Sequence, residues 1–188
     1  MQRNPADGRS VAIIGAGNEG AQLAWLSFRA GFRTIVEDVF PSRLRGIESR
    51  MRGALDADSG SAARLKVDPG RLEFANTIED ALREADFVLD SVPDELESKL
   101  EIFSLVDRMA PPRTVLCSPL RSVSIGDLAS CTYRADRCIG LRIEQAMPDW
   151  TAVSSITLMR GPETSDETVR EVSRLWERMG KQVRLMTE

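Results

Sequence analysis

Short apolar runs alternate with stretches of helical periodicity along most of this chain. The first run, residues 11–14, holds four apolar residues and ends in glycines, which is typical of a strand buried on both faces. Further strands are predicted at 34–36, 72–75, 87–89, 114–117, 138–141, 155–159 and 182–185. Helices are predicted over 17–30, 41–55, 77–85, from 96 to the prolines at 111–112, over 125–130 and over 164–179.

Helix starts and inward helix faces are also predicted. Thr77 and Asp80 resemble a capping box, and Thr164 with Glu167 matches that motif more closely. Residues 56–70 are rich in Asp, Ser and Gly, and we predict a loop there. The long helix before the two prolines is predicted to turn a row of apolar residues toward the core: Leu96, Leu100, Phe103 and Val106.

The regular alternation of strands and helices predicts the architecture. It favours an α/β fold of the Rossmann type, a doubly wound and mostly parallel sheet with helices on both faces. A length of 188 residues fits one domain. We therefore expect a single domain at residues 11–188, preceded by a polar lead-in at residues 1–10.

Composition narrows the function classes. The net charge of −4 argues against nucleic acid or an anionic membrane as the main partner, and no apolar run is long enough for a membrane span. The chain has no histidine, so no histidine can serve as a general base or a metal ligand. Three cysteines (Cys117, Cys131 and Cys138) form no C-x-x-C pair, which favours reduced thiols, a cytoplasmic location and no metal site.

A glycine motif stands between the first predicted strand and helix. Gly15, Gly17 and Gly20 match G-x-G-x-x-G, with Asn18 and Glu19 inside the motif. In this context Gly15 would make the tight turn, Gly17 would let a pyrophosphate approach the backbone, and Gly20 would let the helix pack closely on the strand. The free N–H groups of the helix start would bind the phosphates. The motif therefore predicts a dinucleotide site, although a purely structural glycine turn would give the same letters.

An acidic residue completes this motif. Asp38 ends the second predicted strand, where an acid accepts hydrogen bonds from the adenosine ribose hydroxyls. A carboxylate there would repel a 2′-phosphate, so NAD is favoured over NADP. Glu37 is adjacent, but strand alternation points it to the other face of the sheet. Arg43 could recruit a 2′-phosphate, and we expect it instead on a solvated helix face.

From residue 11 onward the chain resembles the N-terminal NAD-binding domain of the L-3-hydroxyacyl-CoA dehydrogenases. The resemblance rests on V-A-I-I-G-A-G-N-E-G, on the strand that ends at Asp38, and on A-D-F-V-L-D-S-V-P-D-E-L-E-S-K at 85–99. It continues through A-P-P-R-T-V-L-C-S, S-I-G-D-L-A and D-R-C-I-G-L. It implies the Rossmann fold, NAD as the cofactor and a role in fatty acid metabolism.

The resemblance also implies residues near the nicotinamide end of NAD. The loop that passes the nicotinamide in the family corresponds here to Ser91, Val92 and Pro93. Asp94 and Lys99 match a family acid and lysine near the nicotinamide ribose and the substrate entrance, although a surface acid–lysine pair would fit equally well. With the glycine motif and Asp38, the expected cofactor-binding residues are Gly15, Gly17, Asn18, Glu19, Gly20, Asp38, Ser91, Val92, Pro93, Lys99 and Ser118.

The chain departs from the family at the positions that carry the reaction. Where the family has Ser-Asn-Thr-Ser-Ser, this chain has S-P-L-R-S at 118–122, which places Arg121 at the substrate-binding serine. Arg142 stands at the catalytic histidine, and Ser154 stands at the glutamate that orients it. The family's C-terminal helical domain, which closes the acyl-CoA site and forms the dimer, is expected to be absent. The shortened segment at 56–70 puts CoA binding in doubt.

Dehydrogenation of a hydroxyl group needs a base, and arginine does not deprotonate in proteins. The remaining candidates are Glu144 and Lys99, and Glu144 could instead be an ion-pair partner of Arg142. Tyr133 lacks the Y-x-x-x-K context of short-chain dehydrogenases and is expected in a surface loop. Arg121 and Arg142 are expected to flank one cleft, where they would bind an anionic small molecule or simply remain exposed.

Two functions remain open from the sequence. One is an oxidoreductase of the 3-hydroxyacyl-CoA dehydrogenase type, acting as a homodimer or with a partner chain that supplies the missing domain. The other is a non-catalytic dinucleotide-binding protein that senses NAD(H) or serves as an accessory subunit. In both cases we expect negligible 3-hydroxyacyl-CoA turnover by this chain alone.

Overall fold

The computed structural model describes residues 8–58, 68–142 and 151–188. The strands are β1 (Ser10–Ile14), β2 (Arg33–Glu37), β3 (Leu72–Ala75), β4 (Phe87–Asp90), β5 (Val115–Pro119), β6 (Cys138–Arg142), β7 (Ser155–Arg160) and β8 (Gln182–Thr187). The α-helices are α1 (Asn18–Arg29), α2 (Pro41–Asp58), α3 (Ile78–Leu82), α4 (Leu96–Met109), α5 (Ile125–Ala129) and α6 (Asp166–Arg178). Short 3-10 turns precede β3 and β6.

All described strands belong to one sheet, in the order β3-β2-β1-β4-β5-β6-β7-β8. Strands β1 to β6 are all parallel to one another. Strand β7 then pairs antiparallel with β6, and β8 pairs parallel with β7. The mostly parallel, Rossmann-type sheet predicted from the sequence is confirmed. The strand order changes direction between β1 and β4, and open α/β sheets bind ligands beyond the carboxyl ends of the strands at such a point.

Alternation along the strands divides the core into two layers. In β1, Val11 and Ile13 face one layer, while Ala12 and Ile14 face the other, and all four are buried. Buried residues of α1, α2 and α6 belong to the first layer. Buried residues of α3, α4 and α5 belong to the second, so helices cover both faces of the sheet.

Two predicted helix starts have different outcomes. At α3 the prediction is confirmed, because the Thr77 hydroxyl oxygen accepts a hydrogen bond from the Asp80 N–H at 3.3 Å. At α6 the predicted cap is wrong by one residue: Ser165 caps the helix and accepts from the Thr168 N–H at 3.1 Å. The hydroxyl of Thr164 is already engaged, since it donates to the Cys138 carbonyl oxygen at 2.7 Å.

Two other details of the helices differ from the sequence prediction. Helix α2 continues to Asp58, past the predicted end near residue 55. Leu96, expected to face inward, is 46% exposed at the start of α4. The inward position of that turn belongs to Lys99, which is 1% exposed and lies four residues before the buried Phe103. Lys99 can occupy a core position because its ammonium group has two polar partners at the sheet, described below.

Among the described helices, none has the length and apolar character that a bilayer crossing requires.

Candidate functional site

A cleft of about 740 Å³ opens at the carboxyl edge of the sheet, above the point where the strand order changes direction. Its walls come from the turns that follow β1, β2, β4 and β5, and from helices α1, α2 and α4. The residues predicted to form the cofactor site contribute many of its lining groups: Gly15, Gly17, Asn18, Glu19, Asp38, Ser91, Val92 and Pro93.

The three motif glycines have different reasons to lack a side chain. Gly15 has a φ of +103°, and a Cβ there would lie 2.8 Å from the Ser91 hydroxyl oxygen. A Cβ on Gly20 would lie 1.9 Å from the Gly15 carbonyl oxygen. A Cβ on Gly17 would have no heavy atom within 4 Å. Packing therefore requires glycine at positions 15 and 20, whereas at Gly17 a side chain would only fill space in the cleft.

Gly17 is also the N-cap of α1, and it offers no side chain to the first turn. The first backbone hydrogen bond of this helix runs from the Ala21 N–H to the Gly17 carbonyl oxygen at 3.0 Å. Asn18 and Glu19, the first two helical residues, line the cleft. The positive end of the helix dipole therefore faces the open space beside Gly17, an arrangement that fits a pyrophosphate group.

Backbone groups hold the carboxylate of Asp38 at the end of β2. One oxygen accepts a hydrogen bond from the Ala16 N–H at 2.8 Å, and the other accepts from the Phe40 N–H at 2.8 Å. Arg43 lies 3.5 Å from the same carboxylate and stacks over the Phe40 ring at 4.7 Å. Asp38 lines the cleft, so a carboxylate fixed in position stands where ribose hydroxyl groups could donate to it.

Glu37 was not expected to take part in the site, yet it lines the same cleft and is 5% exposed. Its side chain lies on the sheet face of Ile35, as alternation predicts, but the cleft extends over the strand ends and reaches both faces. Burial, and secondarily the neighbouring Asp38 carboxylate, raises the pKa of Glu37 to about 7. The sequence signal was an acid at the last position of the strand, directly after the apolar residues Ile35 and Val36.

Ser91, the first residue after β4, stabilises the glycine turn. Its hydroxyl donates to the carbonyl oxygens of Ile14 and Gly15, at distances of 2.9 and 2.8 Å. Its backbone N–H also donates to the Ile14 carbonyl oxygen at 2.9 Å. The turns after β1 and β4 are thus bonded to each other on the floor of the cleft.

Lys99 and Ser118 form a buried cluster with Asp90. The Lys99 ammonium donates to an Asp90 carboxylate oxygen at 2.9 Å and to the Ser118 hydroxyl oxygen at 3.0 Å. The Ser118 hydroxyl donates to the same Asp90 oxygen at 2.6 Å. Neither Lys99 nor Ser118 is among the described residues that line the cleft. Their contact with a cofactor therefore stays a prediction, as does a role of Lys99 as a base.

Asp94 holds Arg121 at the opposite end of the cleft from Asp38. One carboxylate oxygen of Asp94 accepts from the backbone N–H groups of Arg121 and Ser122, at 3.1 and 2.9 Å, and from the Ser122 hydroxyl at 2.9 Å. Its other oxygen is buried and has no hydrogen-bond partner in the described structure. Both Asp94 and Arg121 line the cleft. Sequence reasoning did not identify the bonds by which this acid holds the loop after β5.

Arg142, at the end of β6, is not among the described residues that line this cleft. Its charge acts on Glu188, whose carboxylate accepts from the Ile125 and Gly126 N–H groups at 3.0 Å each. Burial opposes ionisation of Glu188, but these bonds, a Ser124 hydroxyl and Arg142 together keep its pKa below the usual range. A shared anion site of Arg121 and Arg142 stays a prediction.

The other predicted candidates have separate positions. Glu144 lies outside the described residues. Ser154 is exposed just before β7, and its backbone carbonyl oxygen accepts from the Gln182 N–H at 2.8 Å. Tyr133 is fully exposed, as expected for a surface loop. The described residues contain no cluster of metal-binding side chains.

Comparison with known proteins agrees with this geometry. Residues 10–188 match the model of the family described as 3-hydroxyacyl-CoA dehydrogenase, NAD binding domain. This chain belongs to that family. A probable 3-hydroxybutyryl-CoA dehydrogenase of Bacillus subtilis is 31% identical over 177 residues, which are 92% of this chain and 60% of that protein.

Two proteins of lower identity match over a similar share of this chain. A 5-formyl-3-hydroxy-2-methylpyridine 4-carboxylate 5-dehydrogenase of Mesorhizobium japonicum is 24% identical over 92% of this chain and 55% of its own length. The structure of 3-hydroxybutyryl-CoA dehydrogenase from Escherichia coli shares the fold, with a TM-score of 0.86 and 24% identity over 95% of this chain and 38% of that one. This NAD-binding domain thus spans about three-fifths of the length of the Bacillus relative.

Proposed function

We propose that this chain binds NAD(H) across the cleft, with the adenosine ribose on Asp38 and the diphosphate beside Gly17. The open space at Gly17 is the observation that carries this proposal, because packing gives no other reason for a glycine there. The fixed Asp38 carboxylate would accept hydrogen bonds from the ribose hydroxyls. The nicotinamide end would extend toward Ser91–Pro93 and Arg121, at the far end of the cleft.

Membership of this family supports a reaction class for the proposal. When bound, NAD supplies the hydride acceptor for oxidation of a hydroxyl group, and relatives are named as 3-hydroxybutyryl-CoA dehydrogenases. In this chain the glycine turn and Asp38 would bind and orient the cofactor, while Asp94 would hold the loop that carries Arg121 beside the reacting end. Proton transfer would fall to Glu144 or Lys99, since arginine and serine stand at the family's catalytic positions.

Arg121 supports an anionic substrate. A guanidinium group that lines the cleft, in place of the serine implied by the resemblance, can form paired hydrogen bonds with a carboxylate or phosphate. The Mesorhizobium relative is named for a pyridine carboxylate substrate, so the family includes a member whose substrate carries such a group. A small hydroxylated carboxylate, bound through Arg121, would fit this end of the cleft.

The second candidate is a non-catalytic NAD(H)-binding sensor or accessory subunit. According to the resemblance, other residues stand at the positions that carry the reaction, whereas the glycine motif is intact. This combination favours a protein that binds NAD(H) without catalysis. A partner chain that contributes a helical domain would favour the enzyme over the sensor, whereas a homodimer of this chain is compatible with both. Free thiols at Cys117, Cys131 and Cys138 support a reducing, cytoplasmic location, and fatty acid metabolism is the setting that the family suggests.

Calorimetric titration with NADH and NADPH tests the binding proposal. We expect NADH to bind and NADPH to bind at least about tenfold more weakly, because the Asp38 carboxylate repels a 2′-phosphate. Asp38→Asn keeps the shape of the side chain and removes its charge, so it should weaken NADH binding by about tenfold and reduce the preference over NADPH. Unchanged affinities for both dinucleotides in Asp38→Asn would contradict the assignment of the ribose site.

A further inference from the structure

Part of the cleft wall is apolar and borders the buried carboxyl group of Glu37. Ile14 and Glu37 are paired residues of β1 and β2, and both line the cleft. Ile102 lines it as well and packs against the core layer to which Ile14 belongs. Apolar walls around one polar group are typical of pockets that bind a flat ring with a hydrogen-bonding edge.

The Glu37 carboxyl group has no hydrogen-bond or ion-pair partner among the described residues, although Glu37 is 5% exposed. The other buried acids nearby differ from it in this respect. Asp38 accepts from two backbone N–H groups, and Asp90 accepts from Lys99 and Ser118. The Glu37 oxygens are not among the fully buried described atoms that lack a partner, so they face the open cleft, where a donor on a ligand can reach them.

We propose that Glu37 recognises the base of the adenosine half by accepting a hydrogen bond from the 6-amino group of adenine. This inference rests on the proposed NAD(H) site, because Asp38 places the ribose one residue away and the base is bonded to that ribose. Ile14 and Ile102 would pack against the purine ring. The edge of the ring that carries the amino group would then meet the carboxyl group of Glu37.

The charge state of Glu37 gives this contact a dependence on pH. With a pKa raised to about 7, Glu37 is mainly a carboxylate at pH 8, and a carboxylate only accepts hydrogen bonds. At pH 6 it is mainly protonated and can also donate. The other charged residues that line the same cleft come from α1, α2 and the turns after β2, β4 and β5: Glu19, Asp38, Arg43, Arg50, Asp94 and Arg121.

Nicotinamide purine dinucleotide is the matched probe, because a hydrogen atom replaces the 6-amino group of the purine and the ring gains no new donor. At pH 8 the Glu37 carboxylate would lose a charge-assisted hydrogen bond, so we expect this analogue to bind about tenfold more weakly than NAD⁺. At pH 6 the amino group would donate to a neutral carboxyl group instead, and the difference should fall to about threefold or less. Both affinities are measured by calorimetry on the full chain at each pH.

Two variants separate recognition from a merely structural role. Glu37→Gln keeps the size of the side chain but carries no charge at either pH, so the affinities for the two dinucleotides should differ by about threefold or less, with no change between pH 6 and pH 8. Glu101→Gln, an exposed position on α4, is the matched control and should keep the wild-type ratio and its change with pH.

The outcomes separate this inference from the function on which it rests. Failure of both dinucleotides to bind would overturn the NAD(H) site and this inference together. Equal binding of the two by the wild-type chain at pH 8 would overturn the role of Glu37 and leave the NAD(H) site standing. A preference for NAD⁺ that is the same in Glu37→Gln, or the same at pH 6 and pH 8, would also overturn it.

Discussion

The two ends of the cleft differ in how well they match the family. Beside β1 and β2, the glycine turn, the open position at Gly17 and the fixed Asp38 carboxylate form a complete frame for a dinucleotide. At the other end, after β5, Arg121 stands where the resemblance implies the substrate-binding serine, and outside the described lining, at the end of β6, Arg142 stands where it implies the catalytic histidine. The two ends belong to different strands of the sheet. Cofactor binding can therefore persist while the residues for chemistry change.

The largest expected effect concerns turnover. We expect the isolated chain to reduce a short-chain 3-oxoacyl-CoA with NADH at a rate at least about 10²–10⁴ times below that of a family enzyme, because general-base catalysis alone is worth that factor. The measurement is a steady-state assay beside NADH titration of the same sample. Robust turnover would contradict the view that only the cofactor end of the cleft is functional. Variants of Glu144 and Lys99 would then show which residue transfers the proton.

The next effect concerns the glycine at the cofactor end. Gly17→Val should weaken NADH binding by about 100-fold or more, because the side chain would fill the space beside the start of α1, and it should leave the melting temperature nearly unchanged. Gly46→Val is the matched control: its Cβ would also have no heavy atom within 4 Å, and the position is not among the described cleft residues. Equal NADH affinity in the two variants would show that Gly17 is only part of a turn.

The smallest expected effect is a change in stability at Glu37. Because the pKa of this group is about 7 in the fold and near its ordinary value of 4.5 when unfolded, the folded state binds more protons between those values. Stability should therefore fall as pH rises from about 4.5 to 7, by an amount on the order of 3 kcal/mol at most.

Glu37→Gln removes this dependence. Without cofactor, it should be more stable than the wild-type chain at pH 8 and nearly equal to it below pH 4.5, as measured by chemical denaturation. Glu101→Gln should show no such change with pH. A Glu37→Gln difference of the same size at both pH values would mean that Glu37 ionises normally in the fold, which would weaken the account of its buried position in the cleft.

The sequence by itself determined the elements and the frame of the cofactor end. Apolar runs and helical spacing located the eight strands and six α-helices that the described ranges contain, because these signals depend on neighbouring residues along the chain. The glycine motif and Asp38 were found for the same reason, since a turn, a helix start and a strand end are local features. The one-residue error at the α6 cap shows the limit of local patterns. The Thr164 hydroxyl donates to the carbonyl oxygen of Cys138 in β6, which is distant in sequence, and Ser165 caps the helix instead.

Tertiary structure decided which side chains meet. It reversed β7 against β6 and buried Lys99 against Asp90 and Ser118. It placed Arg121 in the cleft while Arg142 acts on Glu188, and it brought Glu37 to the cleft beside Asp38. Sequence spacing does not predict these positions, because they depend on how the sheet order brings different strands and loops together. The physical reason is that burial and charge pairing depend on distance in space, which local sequence patterns do not encode.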